Sequence, residues 1–158
     1  MHASIAALDG NMKLKVAWIG KTKEPAIQSL TEEYLKRLSH YVEAEGIALK
    51  DEAAFLALAQ GARSQQKHFL VLLDSRGKQL SSEELAQFLR NHQDRNPLPL
   101  LFAIGPADGF SDETRGAASM TLSFGKMTLA HELARVVLLE QLYRAFTILK
   151  GHPYHTGH

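Results

Sequence analysis

The chain has 158 residues, 45% of them apolar and 22% charged, with a formal net charge of +1; this suits one globular domain with its own core and excludes a disordered chain. There is no cysteine, which excludes disulfides and thiolate metal centres and fits a reducing cytoplasm. No run reaches the roughly 18 apolar residues of a membrane span, and a near-neutral protein does not hold free RNA by phosphate neutralisation alone, so any RNA partner must meet a local basic face or be presented by something larger.

Residues 1–11 hold a short apolar patch, Ile5 to Leu8, but no basic stretch before it. They read as an extension outside the fold rather than a signal peptide, leaving 12–158 as the domain. Lys13 to Gly20 (KLKVAWIG) then predicts a buried strand ending in glycine. Pro25 opens a helix whose apolar positions Ile27, Leu30, Tyr34, Leu35 and Leu38 recur at helical spacing to about Ser39. Tyr41 to Leu49 alternates weakly, as a strand, and Ala53 to Ala59 is a short alanine-rich helix.

His68 to Asp74 (HFLVLLD) predicts a second buried strand, followed by the loop Ser75-Arg76-Gly77. Ser81 and Glu84 form a capping-box pattern ahead of Leu85, Phe88 and Leu89, so a helix follows. Leu98 to Ile104 is another strand, which runs into Gly105-Pro106-Ala107-Asp108-Gly109. A short helix over Asp112–Ala118, a strand over Ser119–Phe124 and a long helix over His131–Lys150, closed by Gly151, complete the chain. Alternating strands and helices indicate an α/β domain with a mainly parallel sheet.

Ligands of such sheets gather at the carboxyl ends of strands. Three ends carry loop-like sequence: Leu73 to Gly77, Gly105 to Gly109, and Phe124 to Leu129 (FGKMTL). Taken singly each is an ordinary turn, and neither a dinucleotide fingerprint nor a P-loop is present. The last helix has apolar residues on more than one face, which places it centrally in the core or against another subunit. Within it lie Arg135, Glu140 and Arg144, the last two spaced as an ion pair. The tail carries His152, His155 and His158, but Pro153 breaks any helix that would align them and no carboxylate lies nearby, so no metal is expected. Tyr154 and His155 after a rigid proline are either a frayed end or working groups.

The stretch Leu122 to His155, LSFGKMTLAHELARVVLLEQLYRAFTILKGHPYH, with IGPADG and LLD upstream, resembles the SPOUT superfamily, and within it the ribosomal RNA pseudouridine N3-methyltransferases. The resemblance runs from Met12 to His155. It departs from the group's pattern at Pro106, where a second glycine is usual, and at Thr156, where a basic residue is usual; the stretch from Tyr41 to His68 is shorter. The resemblance implies a deep trefoil knot in the C-terminal half, a homodimer, and S-adenosylmethionine held by Leu73, Gly105, Phe124, Gly125, Lys126, Met127, Thr128 and Leu129. It implies action on a pseudouridine of helix 69 of 23S rRNA in the assembled ribosome, in the cytoplasm. His155 would take the proton from N3, Arg135 or Arg144 would stabilise the developing base anion, and Tyr154 would stack on or orient the base. The alternatives are a SPOUT enzyme for another RNA position and a non-catalytic ribosome-binding factor.

Overall fold

The computed structural model describes residues 12–62, 66–106 and 108–156, of which 155 and 156 are described by their backbone only. The extension expected over 1–11 and the tail residue His158 lie outside the described residues.

Five strands build one parallel sheet: β1 (Lys13–Ile19), β2 (Glu43–Leu49), β3 (Phe69–Gln79), β4 (Leu100–Ile104) and β5 (Met120–Ser123), in the order β2-β1-β4-β3-β5. Between them run α1 (Pro25–Leu38), α2 (Glu52–Ala59), α3 (Ser82–Arg95) and α4 (Asp112–Ala117), and α5 (His131–Lys150) follows β5. The period-two side-chain alternation of a strand divides the core in two. Leu14, Val16, Trp18, Val71, Leu100 and Phe102 face one side, against Leu38 of α1, Leu85 and Leu89 of α3, and Leu138, Leu142 and Phe146 of α5. Ala17, Leu70, Leu72, Leu101 and Ala103 face the other, against Phe55 of α2 and Phe110. Helices therefore cover both faces, as a parallel sheet requires. Among the described residues no helix is long and apolar enough to cross a membrane.

Local chemistry explains most boundaries. The Ser81–Glu84 capping box forms in both directions at the start of α3. Gly151 ends α5 in the left-handed region, φ 71°, where a side chain is unfavourable. Strand β4 starts at Leu100 rather than Leu98, because Pro97 and Pro99 have no N–H to give to a ladder; the Pro99 carbonyl instead accepts from Phe69 N–H at 2.9 Å.

One expectation is corrected here. The strand after His68 does not stop at Asp74 but continues to Gln79. Leu73 and Lys78 both pair with Leu122, so Asp74 to Gly77 leave the ladder as an excursion and return to the same strand. Gly77 permits this return: a Cβ there would lie 2.7 Å from backbone atoms of Thr121 and Leu122. Helix α5 takes the central place in the core that was one of its two expected positions. Its apolar residues are spread around it because α1 and α3 both pack on it. Leu133 remains 51% exposed.

Candidate functional site

Strands β4, β3 and β5 are neighbours, and the chain reverses its direction across the sheet between them, the position where open α/β sheets bind ligands. At their carboxyl ends lies a cleft of about 240 Å³. Its walls are Leu73 to Arg76 from β3, Ile104 to Pro106 with Asp108 and Gly109 from the β4 loop, Leu122 to Gly125 and Met127 to Leu129 from the β5 loop, and His131 and Ala134 from α5. All three loops singled out in the sequence thus meet at one place. Of the eight expected cofactor contacts, Leu73, Gly105, Phe124, Gly125, Met127, Thr128 and Leu129 line the cleft; Lys126 is exposed and is not in its wall.

The loops are shaped by their own hydrogen bonds. Gly109 N–H donates to the Pro106 carbonyl at 2.9 Å, with Gly109 at φ 87°. Ser123 Oγ accepts from Gly125 N–H at 3.0 Å, and Gly125 has φ 120°, so glycine is needed for the turn itself. Gly105 is constrained from behind. A Cβ there would stand 2.7 Å from the ring of Phe110, which is buried against Phe55.

Polar groups in the wall come from Asp74 and Arg115, neither of them among the expected cofactor contacts. The Asp74 carboxylate, whose side chain is only 6% exposed, accepts from Arg76 N–H at 2.9 Å and has Arg115 Nε at 3.5 Å. Arg115 also reaches Asp112 at 3.0 Å. Behind them, Glu52 takes hydrogen bonds from Ser111 N–H, Ser111 Oγ and, at 2.5 Å, Thr114 Oγ1, joining α2 to the start of α4. Burial pushes the Glu52 carboxyl up, but these donors and Arg115 outweigh it and hold it below its ordinary value. Asp74 sits in the stretch already singled out, but Arg115 is far away in sequence and no local pattern joins them.

The expected catalytic residues fall into two places. Arg135 is enclosed, 1% exposed, with its guanidinium 3.9 Å from the centre of the Trp18 ring. It donates to Thr22 Oγ1 at 2.7 Å and to Thr31 Oγ1 at 3.3 Å, and burial holds its pKa below the usual value against the opposing pull of Glu132. Glu132 in turn accepts from Lys23 N–H at 2.9 Å. The first turns of α5 thereby hold the loop after β1, and Arg135 is not in the wall of the cleft.

Arg144 and Tyr154 do come together. Glu140 Oε2 accepts from Arg144 Nη2 at 2.7 Å and from the Tyr154 hydroxyl at 2.8 Å. The Tyr154 ring meets Tyr143 edge-on at 4.8 Å, and the Arg144 guanidinium lies 5.0 Å from its centre. Burial, and hydrogen bonds shared with Tyr34 and Glu140, push the Tyr154 hydroxyl well above its ordinary pKa. The tail is therefore a short 3₁₀ turn, Pro153–Thr156, with Tyr154 seated on α5. The side chain of His155 lies outside the described ones. Among the described residues no group of three histidine or acidic side chains gathers to hold a metal ion.

Residues 12–155 match the model of the family described as Predicted SPOUT methyltransferase. The chain belongs to the SPOUT methyltransferase family. A relative from Koribacter versatilis, named Ribosomal RNA large subunit methyltransferase H, is 61% identical over 93% of this chain and 100% of its own length. A second of the same name, from Geotalea daltonii, is 42% identical over 91% and 99%. Among solved structures, a probable methyltransferase from Bordetella pertussis superposes with a TM-score of 0.58 at 12% identity, covering 92% of this chain and 99% of that one. The SpoU methyltransferase AviRb from Streptomyces viridochromogenes, solved with AdoMet, gives 0.55 at 15% identity, over 90% and 60%. These two likenesses establish a SPOUT-type fold for the parallel sheet and its helices.

Proposed function

We propose that this SPOUT protein transfers a methyl group from S-adenosylmethionine to N3 of a pseudouridine in helix 69 of 23S rRNA, on the assembled ribosome in the cytoplasm. The 61% identity to a ribosomal RNA large subunit methyltransferase along essentially its whole length carries this reading. The cleft suits the cofactor. Phe124, Met127 and Leu129 offer apolar surface, each of them exposed by 38% or more, the glycine-shaped loops present backbone donors and acceptors, and Asp74 supplies a carboxylate. When bound, S-adenosylmethionine supplies an activated methyl on a sulfonium, so the protein's own tasks are alignment and removal of the N3 proton.

On this reading His155 accepts that proton, since imidazole titrates near neutral pH. Arg144 offsets the negative charge that develops on the base, and Tyr154 orients the ring. Arg135, enclosed by Trp18, Thr22 and Thr31, takes the lesser role of fixing the loop after β1 beside the cleft. The placement of the tail set supports a homodimer. Arg144 is ten residues beyond Ala134 in the same helix, about 15 Å along its axis, so the tail group and the cleft of one protomer stand at different levels of α5. A second copy, bringing its tail to this cleft, joins them. Phe124, Met127 and Leu129 in the cleft wall, with the exposed Leu133 on α5, give the second copy apolar surface to cover. A trefoil knot threaded through the three cleft loops completes the reading.

The decisive experiment incubates the purified protein and labelled S-adenosylmethionine with ribosomes that lack the modification, and maps the product by mass spectrometry. A methyl on the helix 69 pseudouridine is expected. A methyl elsewhere returns the alternative of another SPOUT target, and ribosome binding without any methyl returns the non-catalytic factor.

A further inference from the structure

A ladder of rings and guanidinium groups runs across the surface from α1 to the tail. The Arg37 guanidinium lies 5.3 Å from the centre of the Tyr34 ring and 5.6 Å from that of Tyr143. Tyr143 meets Tyr154 at 4.8 Å, and Arg144 covers Tyr154. Three separate segments thus place arginines and tyrosines alternately over one another. All are partly open to solvent, and the Arg37 side chain is 41% exposed. Among the described residues Arg37 has one carboxylate partner, Glu33 at 2.7 Å, itself 49% exposed. An exposed pair of this kind contributes at most about 1 kcal/mol to stability, so stability alone accounts poorly for the array.

Its chemistry matches single-stranded or looped RNA. Aromatic faces and guanidinium planes stack on unpaired bases whatever their sequence, and guanidinium groups pair with phosphates. With a net charge of only +1, phosphate contacts in this protein must be local. The array is also continuous with the proposed site, because Tyr143 touches Tyr34 on one side and Tyr154 on the other. We propose that Tyr34 and Arg37 of α1 extend the tail site into a platform for the ribosomal RNA nucleotides flanking the target base, with Arg37 contacting a phosphate. This rests on the methyltransferase reading above.

The test compares wild type with Arg37→Gln, Arg37→Lys and Glu33→Gln in full-length protein on ribosomes. Arg37→Gln should raise KM for ribosomes about fivefold, leave kcat within about twofold, and lower the salt slope of binding by about one, the mark of one lost phosphate contact. Arg37→Lys should recover part of the KM. Glu33→Gln, which frees the guanidinium, should leave KM unchanged or lower it. S-adenosylmethionine affinity, melting temperature and sedimentation should match wild type throughout. An unchanged KM in Arg37→Gln overturns the platform, as does an equal loss in Glu33→Gln or a loss of oligomeric state, each of which marks a structural pair. If wild type itself leaves ribosomes unmethylated, the methyltransferase reading fails instead, and the two failures are distinct.

Discussion

Gly105 shows how a sequence can mark a residue and yet carry only part of the reason for it. Its place after an apolar strand suggests a backbone that a ligand approaches closely, and it does line the cleft. Yet a Cβ would first meet Phe110, 2.7 Å away and only 3% exposed. The constraint comes from the core behind the loop, which no local pattern displays. Gly105→Ala should therefore lose stability, by about 1–3 kcal/mol as overpacking usually costs, and calorimetric melting should fall together with cofactor affinity. An unaltered melting temperature would show that the ring moves aside freely. Asp74 is the opposite case. It sits in a segment that the sequence marks, but its importance depends on Arg115, a partner that only the fold brings to 3.5 Å.

At the scale of elements, boundaries decided by the chain's own chemistry were legible. Helix α5 runs from His131 to Lys150 as expected, because Gly151 takes a left-handed conformation that ends it. The capping box at Ser81 likewise marks the start of α3. Strand β3 was misread because its far half exists only through pairing with β5, which begins 41 residues after its last residue. The tail lies between these cases. Its chemistry could be named from Tyr154 and His155, but its seat on Tyr143 and Glu140 could not. Truncation after Gly151 removes the ring contacts of His152 with Tyr41 and of Tyr154 with Tyr143, and with them the hydrogen bonds of His152 to Tyr41 and Thr147 and of Tyr154 to Glu140, so the melting temperature should fall by several degrees, short of unfolding the sheet and its core. Cofactor affinity should stay normal, since no described tail residue lines the cleft of its own chain, while turnover on ribosomes should fall by at least about a hundredfold if proton transfer is lost. Full turnover in the truncated protein would return the tail to a frayed terminus.

At the scale of the whole molecule, composition and alternation lead directly to the parallel α/β sheet, because burial on both faces leaves its mark in the inner strands β1, β3 and β4. A knot or a dimer leaves no such mark; each is a relation between distant segments, and only the family resemblance implied them. The proposed sharing of a site between two copies has a test that needs no structure of the dimer. Thr128→Trp fills the cleft from an exposed position of its wall, and His155→Ala removes the proposed proton acceptor, so each homodimer should be inactive. Suppose the two are co-expressed and the mixed dimer is purified with two different tags. If the tail works on the cleft of its own chain, every site carries one defect and the mixed dimer stays inactive. If the tail crosses to the partner, one site combines the filled cleft with the altered tail, while the other combines an intact cleft with an intact tail. The mixed dimer should then recover about half the wild-type turnover per dimer, by the two-fold symmetry of such an assembly. Its cofactor binding should also be half of normal, one molecule per dimer, which ties the recovered activity to the one open cleft. Exchange of subunits back to the parent homodimers can only lower the recovered activity, because neither parent dimer holds an intact cleft beside an intact tail. The paired measurement therefore isolates the crossing of the tail as the cause.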